Sequence, residues 1–256
     1  MLHRSKVASA VLAAGLCLAA CSSNSGSGTV IDSSMSAATI AKAAGSALAS
    51  QSVLKLEGEI PTSGFQGPLK MEMNRTGEFT LSLTHSATGT APSVEVVKSN
   101  NTLYLKMSVA YLESQVPALE KLSPAVRSAV VSALTEKWLI VPTSGPLASL
   151  KRIVSVAKSL DLFYLAAEIT NIPSGAVVSP EVMHHGIQVV PVSAQGTTID
   201  VATATALPVE LFQVGTTNNF SMSYPTSSKI PAPTGAITVR AALGQELYQT
   251  ILAAGF

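Results

Sequence analysis

His184 and His185 are adjacent, and imidazole is a common metal ligand, so this pair is the first candidate for chemistry. Neighbouring side chains on a β-strand point to opposite faces, so the two rings could share a metal only across a turn. We therefore expect a solvated edge or loop here. The sequence also lacks a glycine-rich phosphate loop, a GxSxG motif and a His-x-x-x-His spacing. We expect no catalytic residue, no metal ligand and no cofactor, and the chain is not expected to be an enzyme.

The thiol of Cys21 is the other candidate, because of the residues that precede it. A basic segment at residues 3–6 leads into an almost unbroken apolar run at residues 7–20. This order is typical of a secretory signal peptide with a small-residue cleavage site. Residues 18–21, Leu-Ala-Ala-Cys, resemble the bacterial lipobox, in which the thiol is diacylated, the chain is cut before the cysteine, and the new amine is often acylated. The alternative is an ordinary cleaved signal followed by an incidental cysteine.

With a lipobox, residues 1–20 are a lipoprotein signal peptide and residues 21–36, rich in serine and glycine, are a lipidated flexible tether. Residues 37–256 then form a single domain. The apolar run is too short to span a bilayer of about 30 Å permanently, but each buried methylene of an acyl chain contributes about 0.8 kcal/mol. We therefore expect a lipid-anchored protein on the extracytoplasmic face of the cell membrane. Because Cys17 leaves with the signal, the mature chain can form no internal disulfide.

The charge balance argues against a nucleic-acid partner. The 256 residues include 16 lysines and arginines and 15 acids. Removal of Arg4 and Lys6 with the signal leaves 14 basic residues and a formal charge of −1. Nucleic-acid binding requires a clustered basic surface, which this balance does not indicate. Charged residues make up only 12% of the chain, against a usual share of about 25%. Three explanations are open: the signal inflates the apolar content, the mature protein encloses an apolar cavity, or it presents an apolar face to a partner or bilayer.

The first half of the chain predicts one helix and a series of strands. Small helix-forming residues at 37–49 predict a helix, which Gly45 weakens. Strict apolar–polar alternation then predicts antiparallel strands with one apolar and one wet face. These strands lie at residues 53–60, 69–74 and 79–84.

Residues 94–107 predict a hairpin closed by a two-residue turn at Asn100 and Asn101. One register satisfies both faces, because it gives two apolar pairs and one charge pair. The pairs are Val96 with Leu105, Val94 with Met107, and Glu95 with Lys106.

The period then changes to that of helices. Residues 111–136 have apolar residues at helical spacing, and Pro117 and Pro124 predict two or more short helices there. A short strand at 138–142 and an amphipathic helix at 146–160 follow.

Alternation returns near the C-terminus, with proline-rich breaks between strands at Pro173, Pro180 and Pro191. The predicted strands lie at 186–192, 197–205, 208–214, 219–224 and 237–240, with a frayed helix or tail at 241–253. The order of elements along the chain is one helix, a group of strands, a group of helices and a second group of strands. This order indicates an α+β domain, with helices packed on one face of an antiparallel sheet.

The apolar positions of the early strands form one inner face, with two alternative roles. They either pack against the helices as a solid core or line a void, and the abundant leucine and methionine favour the void. The candidates are Leu54, Leu56, Leu69, Met71, Met73, Phe79, Leu81, Leu83, Val96, Leu105 and Met107. Trp138 could stack on a ligand, but before a proline-terminated strand we expect a core anchor.

An ordered set of segments resembles the mycobacterial LppX/LprG-type lipoproteins, whose fold is similar to that of the carrier LolA. The set is the lipobox, the small helix, an LxGxI strand within 54–60, a hairpin ending in LYLKM, a helical insert, KWLIVP at 137–142 and ALPVEL at 206–211. The resemblance implies a strongly curved antiparallel half-barrel whose concave face is lidded by helices. It also implies an apolar cavity that accepts the acyl chains of lipids or glycolipids. The tail from Pro225 onward matches no part of this pattern.

We therefore expect a monomeric, membrane-anchored lipoprotein that binds lipid or lipoglycan acyl chains and helps transfer them across the cell envelope. A membrane transporter is a further expected partner. One alternative is a structural or signalling lipoprotein of the same fold that acts through a protein partner, for which an exposed apolar patch would be evidence. The other is an envelope hydrolase, which would need a serine or acid with a histidine partner at the cavity mouth.

Overall fold

The computed structural model describes residues 29–62, 65–84, 93–141, 162–213 and 219–254. The signal peptide, Cys21, residues 21–28 of the tether and the predicted helix at 146–160 lie outside these ranges. The fold is α+β, as predicted: one large, open antiparallel sheet in the form of a half-barrel, with helices packed against one face.

The sheet has thirteen strands in the described ranges. Their bounds are β1 Val53–Thr62, β2 Phe65–Asn74, β3 Phe79–Leu83, β4 Val94–Ser99, β5 Thr102–Met107, β6 Leu139–Ile140, β7 Val177–Val178, β8 Val182–His184, β9 Ile187–Ala194, β10 Thr197–Ala202, β11 Pro208–Gln213, β12 Asn219–Ser223 and β13 Ile237–Thr238. They lie in the order β13-β6-β5-β4-β3-β2-β1-β12-β11-β10-β9-β7, and β8 also pairs with β9. The β13–β6 pair is parallel and the others are antiparallel. The first and last long strands, β1 and β12, therefore meet in the middle of the sheet.

The described helices are α1 Ala37–Ser50, α2 Val109–Gln115, a 3₁₀-helix Pro117–Lys121, α3 Pro124–Leu134, α4 Leu162–Thr170 and α5 Val239–Ala253. Ser36 caps α1, because its hydroxyl accepts the backbone N–H of Thr39 at 3.2 Å. Pro117 and Pro124 each lie in a first turn, which confirms the predicted division into short helices. None of the helices in these ranges is long and apolar enough to cross a bilayer.

The hairpin of β4 and β5 confirms the predicted register, with all three expected pairs in place. Asn100 and Asn101 have φ angles of 49° and 60°, as a two-residue turn of the favoured hairpin type requires. Lys106 Nζ lies 3.0 Å from Glu95 Oε1 across the outer face.

Pro191 corrects the expectation of a break between late strands, because it lies inside β9. On one side it pairs with Asp200 of β10. On the other side β8 pairs with β9 only as far as Val189, and β7 pairs only from Val192 onward. The missing N–H of Pro191 therefore falls between the two short edge strands, where its loss is tolerated.

The packed part of the chain begins before the predicted domain start at residue 37, and it includes the C-terminal tail that matches no part of the family pattern. Ile31, which the sequence analysis placed in the tether, is buried in the core, and its N–H donates to Thr203 O. In the C-terminal tail, Ile230 is buried and its carbonyl accepts the Ser99 hydroxyl at 2.8 Å. The tail also adds β13 to the sheet and packs α5 on α3.

Gly45 is the contact point of α1 and α4. A Cβ at this position would lie 1.9 Å from Thr170 Oγ1 and 2.7 Å from Ala166 O. The glycine that weakens α1 as an isolated helix therefore allows α4 to cross it closely, and this crossing places both helices over the sheet.

We predict that Gly45→Ala destabilises the protein, although alanine favours an isolated helix by about 1 kcal/mol. The added methyl overlaps α4, and overpacking of this kind costs roughly 1–3 kcal/mol. Denaturant unfolding of the variant would measure the effect. Ser46→Ala, on the exposed side of the same helix, is the control and should change the midpoint little. A higher midpoint for Gly45→Ala would contradict the close crossing.

Candidate functional site

One line of mostly apolar residues crosses nine neighbouring strands on the inner face of the sheet. Each member pairs directly with the next in the observed registers. From β9 to β5, the members of this inner row are Val192, Ile199, Leu211, Phe220, Gly58, Leu69, Leu83, Val94 and Met107. With strands about 4.8 Å apart, the inner row is about 38 Å long.

The inner row is buried at its ends and only partly buried in its middle. Val192, Val94 and Met107 are at most 2% exposed and belong to the core. Ile199, Leu211, Phe220 and Gly58, which are consecutive in the inner row, are only partly buried. The described helices therefore leave a partly exposed band about 14 Å wide, from β10 to β1, which we call the open band.

The eleven predicted inner-face residues divide into two groups. Nine are buried in the core: Leu54, Leu69, Met71, Met73, Phe79, Leu81, Val96, Leu105 and Met107. Leu56 and Leu83 are partly buried and pack against its edge. Of the eleven, Leu56 and Leu83 therefore keep partly exposed surface, and the assignment of this face to a ligand cavity stays a prediction.

The open band was missed because the candidates came only from the early strands. Its residues Ile199, Leu211 and Phe220, with Met222 beside them, lie in β10 to β12. The same period of two is present there, so the alternation could have identified them. The sequence did not reveal that β12 pairs with β1, which joins the late strands to the inner face of the early ones.

Gly58 lets the two halves of the inner face meet. A Cβ on Gly58 would lie 2.1 Å from Asn219 O and 2.5 Å from Phe220 Cδ1. The Phe220 ring therefore occupies the space that a side chain on β1 would fill. At the end of β12, Tyr224 donates its hydroxyl hydrogen bond to Pro208 O at 2.5 Å, and burial raises the pKa of Tyr224 above its usual range.

The outer face of β1 to β4 is polar and carries a groove of about 310 Å³. Lys55 and Glu72 form an ion pair of 3.1 Å in it. Trp138 lines the groove and is only partly buried, so the core-anchor interpretation is wrong. The ring follows the end of α3 and directly precedes β6, and there it faces outward.

His184 and His185 also lie away from the inner row. His184 ends β8, and His185 and Gly186 form the turn to β9, which brings the two rings to a centroid distance of 4.4 Å. The expected solvated edge or loop is confirmed for His185, which is exposed in the turn, and His184 ends the edge strand β8. His184 is partly buried and contacts two carboxylates, those of Asp200 and Glu210.

Several exposed apolar side chains lie along one edge of the sheet, and we call them the edge patch. It consists of Val177, Val182, Met183 and Ile187, of which Met183 is 68% exposed. The start of the described chain enters beside this edge: Ser33 N–H donates to Glu181 Oε1 at 3.3 Å, and Val30 is 67% exposed.

Comparisons with solved structures give a structural likeness. No family model and no curated protein matches the chain. The crystal structure of LprF from Mycobacterium bovis is similar, with 13% sequence identity and a TM-score of 0.47 over 78% of this chain and 97% of that chain. The fold assignment stands on the strand order and packing of the chain itself. Membership of the LppX/LprG-type family stays a prediction.

We predict that Gly58→Ala destabilises the protein by roughly 1–3 kcal/mol, because its methyl group meets the backbone of β12. The variant should also shift Phe220, which a change in the methyl and aromatic NMR signals around the inner row would report. The exposed neighbour Glu59→Ala is the control. Equal stability for both variants would show that β1 and β12 do not approach as closely as described.

Proposed function

We propose that this chain is a membrane-anchored lipoprotein that binds the acyl chains of a lipid or lipoglycan and helps transfer them across the cell envelope. Binding is by sequestration, with no covalent step and no cofactor. The observation that carries the proposal is the open middle of the inner row, from Ile199 to Gly58.

Three properties of this band suit an acyl chain. It is apolar, it is continuous across four strands, and it is flanked by buried core rather than by charged groups. Sites for apolar ligands are mostly apolar, with few polar anchors. Burial of an acyl chain there would stabilise the complex by about 25 cal/mol per Å² of apolar area, less the cost of ordering the chain. Met222 beside the band can adapt to contents of irregular shape.

The edge patch supports a position close to a membrane. Seven residues lie between Cys21 and Thr29, so the eight Cα-to-Cα steps from one to the other can span at most about 28 Å. If Cys21 is acylated, the edge where the chain enters is therefore held near the bilayer surface, with Val30 and the edge patch beside it. We place the protein on the extracytoplasmic face in this orientation.

The edge patch also favours the second candidate function, because an exposed apolar patch is what a protein partner would need. In that case the chain is a structural or signalling lipoprotein. A membrane transporter that receives the lipid would join the two functions, since it could contact the edge patch while the inner face holds the ligand.

We propose no enzymatic activity. Both ring nitrogens of His184 face carboxylate oxygens within the described residues, so this ring is not paired with a serine nucleophile. It also lies on the outer face, away from the inner row.

Native mass spectrometry tests lipid binding directly. We would use the full chain with Cys21→Ser, which removes the covalent acyl groups, and add a phosphatidylglycerol with palmitoyl chains. One lipid per chain is the expected result. Leu211→Gln removes apolar contact in the open band and should lower the bound fraction about fivefold, equivalent to about 1 kcal/mol.

Leu252→Gln is the matched control, because it makes the same change at an exposed position on α5. It should leave binding unchanged. No uptake of lipid, or equal loss in both variants, would contradict a site on the inner row.

Transfer requires a separate measurement. The Cys21→Ser chain should speed the movement of a fluorescent phospholipid from donor to acceptor vesicles, and Leu211→Gln should slow that movement in proportion to its loss of binding. A chain that binds lipid but leaves the transfer rate unchanged would limit the function to binding.

A further inference from the structure

On the outer face of the same strands, His184 lies between two acidic side chains. Its Nδ1 is 2.7 Å from Asp200 Oδ2, and its Nε2 is 2.8 Å from Glu210 Oε2. Asp200 and Glu210 pair with each other across β10 and β11, and both are buried, at 3% and 6% exposure. The other oxygen of Glu210 accepts a hydrogen bond of 2.9 Å from Asn219 Nδ2.

The turn after β8 adds a second imidazole to this cluster. His185 has a φ of 48° and Gly186 a φ of 81°, so the chain reverses where a continued strand would send the two rings to opposite faces. One ligand atom from each of His184, His185 and Glu210 lies within 4.8 Å of the others. His185 is exposed and leaves one side of the cluster open to solvent.

The cluster is rich in acidic groups, because two buried carboxylates lie against a single imidazole ring. Within the described residues, no ion pair brings a lysine or arginine to Asp200 or Glu210. In the same part of the chain, buried Oδ1 of Asp200 has no hydrogen-bond partner. Buried carboxylates normally have a cation or hydrogen-bond donors around them.

We propose that His184, His185 and Glu210 bind a divalent transition-metal ion of the zinc class. Imidazole and carboxylate are ligands that such ions accept, and three protein ligands with one open position form a known type of zinc site. Asp200 is then the outer partner: it accepts Nδ1–H of His184, which leaves Nε2 free to bind the metal. Asn219 holds Glu210 in the same way.

The ligand atoms, which lie within 4.8 Å of one another, must adjust their positions to hold the ion. With metal–ligand distances of about 2.0–2.1 Å, two ligands of a tetrahedral ion lie about 3.4 Å apart. The 2.8 Å contact between His184 Nε2 and Glu210 Oε2 must therefore open slightly. The bound ion would connect β8 to β11 directly behind Leu211 of the open band.

Zinc binding tests the proposal on the untagged full-length chain in detergent, stripped with EDTA. Calorimetric titration with Zn²⁺ should give one ion per chain, and Zn²⁺ should raise the melting temperature. His185→Ala removes an exposed ligand without disturbing the core and should weaken zinc affinity at least tenfold. Met183→Ala, exposed on the same hairpin, should not.

Two further variants distinguish the proposed metal ligand Glu210 from Asp200, which would only hold His184 in position. Glu210→Gln keeps the size of the side chain and should abolish the zinc-dependent rise in melting temperature. Asp200→Asn should weaken affinity about 10–100-fold, as loss of an outer partner does. Absence of zinc binding, or binding that survives both His185→Ala and Glu210→Gln, would overturn the proposal. None of these readouts depends on lipid binding.

Discussion

The antiparallel register is the constraint on which the structure depends. Directly opposed residues of neighbouring strands share a face, so the inner row continues from strand to strand without interruption. The inner row runs from Val192 in β9 through β12 and β1 to Met107 in β5. A slip of one residue in any strand would turn its apolar side chains outward. Gly58 marks the place where the halves join and where Phe220 takes the space of a side chain.

The helices decide which part of this face is buried and which part stays partly exposed. Close contact of α1 and α4 at Gly45, and of α3 with α5, builds a cover whose buried residues belong to one cluster with β2 to β5. The strands from β10 to β1 keep partly exposed apolar residues. We propose that acyl chains bind where the described helices leave this face partly exposed. The outer face of the same strands carries the cluster around His184, so both features involve β10 and β11.

Local patterns in the sequence predicted much of the fold. The two asparagines of one turn and the charge pair beside it fixed a hairpin register, and prolines in first turns divided the helices. Contacts between distant segments could not be predicted. Examples are the pairing of β1 with β12, the position of Pro191 in β9 opposite the gap between two edge strands, and the contact of Gly45 with Thr170. The same limit hid the surroundings of His184, whose partners come from strands further along the chain.

The location of bound acyl chains tests the central claim most directly. A crystal structure of the full chain grown with a phospholipid that carries brominated acyl chains would show the bromine atoms by their anomalous signal. We expect them along the inner face between Ile199 and Gly58, with the outer groove beside Trp138 free of them. Bromine atoms only at the edge patch or in the outer groove, with the inner face closed by side chains, would contradict the account.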